Sequence, residues 1–181
     1  MQRGTKTLCR PDVTANIIAG LAGGLVASFA MERFQRALGA LSPDAGGAPG
    51  GGGQQYRKPQ SEPATYKAAD AIARASTGHQ VPAPYKPAAG SVVHYAFGGA
   101  VGAIYGAATA RTPQLAAAAG LPFGAAVWIV ADEIGVPLAG LSKPPTEYPL
   151  RDHASAFAAH LVFGVTTEGV RRLVLGVLGR A

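Results

Sequence analysis

Five ionisable side chains are spaced so that a bundle of membrane helices would bring them to one level: His94, Asp132, Glu133, His153 and His160. Histidine titrates near neutral pH, and a desolvated carboxyl group holds its proton more tightly, so these residue types together suit a proton relay. Two imidazoles with a carboxylate also suit a divalent metal ion, and a histidine pair suits haem. No cofactor is predicted, and haem or a divalent metal at His94 and His160 is the alternative.

A purely structural interpretation is also open for this polar cluster. In it, His94 and His160 donate hydrogen bonds between helices, and the carboxylates lie among the lipid headgroups. The acidic residues would be Glu32, Asp132 and Glu133, and their partners would be Arg33, Arg36 or Arg151.

Four charge-free stretches supply the helices that would position these residues. They cover residues 13–31, 87–110, 112–131 and 153–167. Because a helix needs about 20 residues to cross a hydrocarbon core of ~30 Å, the first three are long enough, and the fourth requires extension past its charges. We expect an all-α, polytopic transmembrane bundle of four helices in a single membrane domain, with spans at about 13–31, 88–110, 114–136 and 153–178.

Antiparallel crossing explains why the cluster should form. His94 and His160 each lie seven residues, roughly 10 Å, beyond the start of their charge-free stretch, and the second and fourth spans run in the same direction. The first and third spans run oppositely and end at that same side, at Glu32 and at Asp132. Ionisable groups at such depth usually face a bundle interior or a water-filled cavity.

Small residues at four-residue intervals predict how the helices pack. Lipid gives helices no hydrophobic reason to associate, so close contact along glycine-rich faces must supply much of the attraction. The expected helix-packing residues are Gly20, Gly24, Gly98, Gly102, Gly106, Gly120, Gly124 and Gly164. These stripes favour packing within the chain, and a homo-oligomer or a partner in a membrane complex is the alternative.

A long Gly/Pro-rich connector at about 37–86 separates the first two spans, with a short helix near 62–76. Glu168 and Arg172 stand four residues apart and are expected to form an ion pair at the membrane boundary. The sequence contains no nucleophile elbow, phosphate loop, dinucleotide fingerprint or HExxH motif, so no catalytic residue is predicted and the chain is not expected to be an enzyme.

The composition supports a membrane location. Only 14% of the 181 residues are charged, 48% are hydrophobic and 25 are glycine, with a mean hydropathy of +0.17. The net charge of +6 lies mostly beside the spans, which favours anionic lipid headgroups over nucleic acid as the partner. The Lys and Arg counts on the two sides are inconclusive by themselves, but long connectors weigh less in the positive-inside rule, which favours two cytoplasmic termini. The basic residues before residue 13 also permit a cleaved signal, although an uncleaved anchor is favoured.

Several short motifs resemble those of the bacterial YagU-like inner-membrane family, a domain of unknown function. They are Val93-His94-Tyr95-Ala96-Phe97-Gly98, residues 124–136 with Trp128 and Glu133, Gly140-Leu141 with the proline-rich segment after it, and Glu168-Gly169-Val170-Arg171-Arg172. The resemblance implies a small inner-membrane protein of several helices, and it implies no activity, substrate or cofactor.

Three functions follow from these observations as expectations. The first is a structural or accessory membrane protein that supports envelope homeostasis or a larger complex. The second is a small transporter or proton-coupled permeation protein that uses the polar cluster. The third is a metal- or haem-binding redox subunit.

Overall fold

The computed structural model describes residues 12–41 and 62–179, and this part of the chain consists of helices and the turns and loops that join them. The basic residues before Pro11, Cys9 and the glycine run at 46–53 lie outside the described residues. The α-helices are α1 (Val13–Ala40), α2 (Ala64–Thr77), α3 (Lys86–Arg111), α4 (Leu121–Val127), α5 (Val136–Leu138) and α6 (Leu150–Leu178). A π-helical segment, Trp128–Gly135, joins α4 to α5. The predicted all-α class is confirmed.

Glycine faces bring α1 and α3 into backbone contact. A Cβ added at Gly24 would lie 2.9 Å from the carbonyl carbon of Gly98 and 3.1 Å from Cα of Gly102. Gly20 faces Gly102 and Gly106 in the same way. Because contacts move backward along α3 as they move forward along α1, the two helices are antiparallel.

The longest helix, α6, packs between α1 and α4. A Cβ added at Gly23 would lie 2.5 Å from the carbonyl oxygen of Thr167, and one added at Gly164 would lie 2.7 Å from the backbone nitrogen of Gly124. Gly120 also meets Gly164. The order across the bundle is therefore α3, α1, α6, α4, with α3 parallel to α6. All eight glycines expected to pack helices face another helix of the same chain.

The interior of this bundle consists mostly of small residues, with several buried polar side chains and an apolar core around Met31 and Phe163, and its exterior carries many large apolar side chains. Fully buried side chains of the largest volume are Glu168, Thr167 and Ser28. Large apolar side chains point outward from every long helix, among them Ile18, Phe29, Val92, Ile104, Val130, Leu138, Leu173 and Val177. Extended apolar surface of this kind is characteristic of sites that contact protein or membrane.

Two segments among the described residues are long and apolar enough to cross a membrane. They are Val13–Ala40, which contains an 18-residue stretch with a mean hydropathy of 1.7, and Pro113–Leu138, which contains one with 1.6. The other two long helices, α3 and α6, fall outside that group. Five glycines dilute the hydropathy of α3, and α6 carries charges near both ends.

The third predicted span, 114–136, is less regular than expected. Residues Pro113–Gly120 form a tight 3-10 turn in which Ala118, Ala119 and Gly120 have left-handed φ angles of 48°, 54° and 85°. Regular α-helix begins only at Leu121. The hairpin between α3 and α4 is consequently longer than the predicted link of residues 111–114.

Candidate functional site

A cavity of about 430 Å³ lies at the end of the bundle where α1 finishes and α3 and α6 begin. Three of its lining residues are ionisable: His94 on α3, Asp132 on the π-helical segment and His160 on α6. Most of the remaining wall is apolar, and the start of α2 forms one side. Other lining residues include Met31, Ala64, Phe97, Val127, Val130 and Phe163. This volume is typical of sites for small organic ligands.

The His160 ring is fixed by its own helix. Its Nδ1 lies 2.9 Å from the carbonyl oxygen of Ala156, so in the neutral ring Nδ1 carries the proton and donates it to that carbonyl. The Nε2 atom is then an acceptor, with no hydrogen-bond partner among residues 12–41 and 62–179. Oδ2 of Asp132 lies 3.8 Å from Nδ1, which is close enough for charge attraction and too far for a hydrogen bond.

His94 is held in the opposite tautomer. Its Nε2 lies 3.4 Å from the carbonyl oxygen of Ser28 on α1, and a carbonyl can only accept, so Nε2 donates. This leaves Nδ1 as the acceptor. The expected hydrogen bond between helices is present for His94, whereas the hydrogen bond of His160 stays within α6.

Asp132 differs from the other acidic residues at this end of the bundle. Its carboxylate makes no hydrogen bond within the described part of the chain, and Nδ1 of His160 lies 3.8 Å from its Oδ2. It lies in the π-helical segment, a conformation that is rare and frequent at functional sites. None of the arginines proposed for it from the sequence is its partner in the described ranges.

Glu133 and His153 form a separate pair outside the cavity. Nδ1 of His153 lies 2.8 Å from Oε1 of Glu133, and its Nε2 lies 3.0 Å from the carbonyl oxygen of Pro145. Both ring nitrogens therefore face acceptors, which suits an imidazolium ion. The five residues of the predicted cluster thus divide into a cavity group and this outer pair.

Glu32 belongs to neither group. Its carboxylate accepts a hydrogen bond of 2.9 Å from the hydroxyl of Tyr95 and is paired with Arg36, one of the partners expected from the sequence.

Metal binding would require several ligating side chains to converge on one point. No group of three or more His, Cys, Asp or Glu side chains in the described chain is arranged to hold a metal ion. His94 and His160 line one cavity, and each has one ring nitrogen left after its contact with a backbone carbonyl.

One protein family matches this chain, over residues 73–169, and its description reads "Protein of unknown function (DUF1440)". The matched region contains all three ionisable residues of the cavity and the Glu133–His153 pair. The chain belongs to this family. No curated protein and no solved structure matches the chain.

A second ionic cluster lies in the interior at the opposite end of this DUF1440 protein. Glu168, only 1% exposed, accepts hydrogen bonds from Arg171 at 2.8 and 2.9 Å, from Arg172 at 2.5 Å and from the Tyr105 hydroxyl at 3.0 Å. Arg171, itself 8% exposed, also donates to Oδ1 of Asn16 at 2.7 Å.

The expected ion pair between Glu168 and Arg172 is present. The structure adds that Glu168 is buried and also accepts a hydrogen bond from Tyr105 of α3. Arg171 is its interior partner, and Arg172 reaches it from the surface with 59% of its side chain exposed. The signal that was available is Asn16, a polar residue in an otherwise apolar stretch of α1.

Helix α2 is attached to the bundle beside the cavity. Nζ of Lys86 lies 2.7 Å from Asp70 and 2.6 Å from Glu62, and Asp70 also accepts a hydrogen bond from the backbone of Val81. The hydrogen bond from Lys86 lowers the pKa of Asp70, and the same contact raises the pKa of Lys86. The α2 segment that lines the cavity is therefore positioned by an ion-pair network outside the predicted spans.

Proposed function

We propose that this chain crosses the bacterial inner membrane four times, through α1, α3, the segment containing α4, and α6. The large apolar side chains exposed on every long helix support this, and so do the small residues and buried polar groups of the interior, which are typical of helix packing in lipid. The charges of α6 do not oppose it, because Glu168 and Arg171 neutralise each other inside the bundle. The motif resemblance to YagU-like inner-membrane proteins agrees with this location.

The proposed orientation has both termini in the cytoplasm. The N-terminal end of α1 and the C-terminal end of α6 lie at the same end of the bundle, together with Arg111, Arg171 and Arg172. Short basic segments favour the cytoplasmic side. The cavity would then face the outer leaflet.

Within this architecture, the function supported best is that of a small transporter or permeation protein that binds a solute in the cavity and exchanges protons there. The observation that carries the proposal is the cavity of about 430 Å³ with Asp132, His94 and His160 in its wall. Intramembrane ionisable groups are costly and mark solute or proton pathways when they face a cavity.

The interior beyond the cavity is consistent with a path that is closed at the other end. Phe163 lines the cavity, Phe123 lies 5.9 Å from it between ring centroids, and Tyr105 stacks on Phe123 at 4.0 Å. The Tyr105 hydroxyl then reaches Glu168. An aromatic layer followed by an ionic layer therefore separates the cavity from the opposite end.

The accessory-protein hypothesis has less support. It relied on a small-residue face left open for a partner, and the glycines of the predicted stripes are all covered by helices of this chain. Gly169 and Gly176 of α6 have open surroundings, but they do not belong to the predicted packing stripes.

Proton flux into liposomes tests the proposal. Purified protein would be reconstituted with an entrapped pH-sensitive dye, and a pH gradient imposed in the presence of potassium and valinomycin. We expect flux above that of protein-free liposomes, falling to that level in Asp132→Asn and His160→Ala. Glu133→Gln is the matched control, since Glu133 is paired outside the cavity, and it should retain the flux. Equal flux in wild type and both cavity variants would reject these residues as the route.

A further inference from the structure

The polar atoms that the cavity offers to a ligand are mostly acceptors. With Nδ1 of His160 committed to Ala156 and Nε2 of His94 committed to Ser28, each neutral ring has only an acceptor nitrogen left. The Asp132 carboxylate is an acceptor as well. The hydroxyl of Ser28 is no donor to the cavity, because it already donates to the carbonyl of Gly24 at 3.0 Å. The Thr65 hydroxyl can act in either role.

The charged groups around the cavity also favour a positively charged ligand. Asp132 has no arginine or lysine partner in the described residues, and the nearest histidine proton is directed at a backbone carbonyl. A carboxylate in a largely apolar wall is stabilised by a cation placed beside it. Phe97 and Phe163 add aromatic rings, whose faces also attract cations.

A metal ion does not suit this cavity, since no three ligating side chains converge in the described chain. An organic cation does, because it needs one carboxylate, a few acceptors and apolar contact for the rest of its surface. We propose that the cavity binds a protonated amine with an apolar body, with Asp132 as the residue that selects for positive charge. This proposal rests on the proposed function, whose binding site it specifies.

Three ligands of one shape and different charge test the proposal. They are 2-phenylethylammonium, 2-phenylethanol and 3-phenylpropionate. Binding would be measured by titration calorimetry at pH 7 with the full chain in phosphatidylcholine nanodiscs, with empty nanodiscs subtracted to remove partition into lipid. Hydrogen bonds to a charged group predict that the ammonium ion binds about tenfold or more tightly than the alcohol, and that the carboxylate binds weakest.

Two variants locate the selectivity. In Asp132→Asn, which keeps the size of the side chain, the ammonium ion and the alcohol should bind with equal affinity. In Glu133→Gln the preference for the ammonium ion should persist. The comparison of ligands on the wild-type protein needs no variant, so a misfolded variant cannot decide the result.

The outcomes separate the two proposals. Equal binding of all three ligands, or preference for the carboxylate, would overturn the cation assignment and leave a solute site in place. Preference for the ammonium ion that persists in Asp132→Asn would overturn the role of Asp132. Absence of binding by all three would overturn the assignment together with the proposed solute site, whereas selective binding without proton flux would overturn only the proposed transport.

Discussion

Replacement of Gly24 by alanine tests whether backbone contact between α1 and α3 holds the bundle together. The new Cβ would lie 2.9 Å from the carbonyl carbon of Gly98 and closer still to its oxygen, whereas ordinary contact begins at 3.4 Å. The difference, 3.4 minus 2.9, requires the helices to separate by at least 0.5 Å. Since the neighbouring atoms belong to the backbone, no side-chain rotation can relieve the clash.

Two opposing effects determine how much Gly24→Ala changes the stability of the protein. Alanine is the better helix former by about 0.5–1 kcal/mol, and overpacking of a close interface costs about 1–3 kcal/mol. The clash should prevail, and we expect a net loss of about 1–2 kcal/mol, or roughly a tenfold change in the folding equilibrium. The matched control is Gly169→Ala on α6, where an added Cβ meets nothing within 4 Å.

The free energy of unfolding of both variants would be measured in mixed micelles by titration with sodium dodecyl sulphate. Gly24→Ala should be destabilised and Gly169→Ala should be as stable as wild type or more stable. Equal stability of the two variants would refute the conclusion that α1 and α3 are joined through their glycine faces.

Two further predictions concern the ionic groups. Arg171→Met should destabilise the protein by about 3 kcal/mol, because Glu168 is left buried with fewer partners. Arg172→Met should cost less than about 1 kcal/mol, because that side chain is mainly in solvent. A reversed order in the same titration would contradict the interior role of Arg171. The Asp70 pKa is lowered and the Lys86 pKa is raised, so α2 should stay protected from proteolysis between their ordinary values of 3.8 and 10.5. The helix should loosen as pH falls through the pKa of Asp70 or rises through that of Lys86. A flat pH profile, equal to that of Lys86→Met, would contradict this attachment.

The level at which the polar residues meet was predictable from the sequence. Helix rise per residue and alternating direction suffice to bring His94, His160 and Asp132 to one end of a bundle, and the three do line one cavity. The glycine stripes similarly indicate the faces along which helices approach.

The rotation of each helix about its axis was not predictable in the same way. Arg171 and Arg172 are adjacent, and the choice of which one enters the interior depends on Asn16, which is 155 positions away. Helical periodicity also gives no sign of the π-helical segment that carries Asp132, because that segment departs from 3.6 residues per turn.

Local propensity was misleading at the start of α4. The run of alanines before Gly120 has the highest helix propensity available, yet Ala118 and Ala119 adopt left-handed φ angles. Gly120 must approach the backbone of Gly164 closely, and the tight turn before it brings the chain into that position. Tertiary packing here outweighs an intrinsic preference.

The sidedness of three loops shows whether the chain crosses the membrane four times. Single cysteines would replace His79, Thr112 and Lys143 in a Cys9→Ser background, and intact cells would be treated with a membrane-impermeant maleimide. Four crossings predict that positions 79 and 143 are labelled together and that position 112 is labelled only from the opposite side. Labelling of 79 and 112 from one side, with 143 on the other, would show that α3 does not cross and would exclude four crossings.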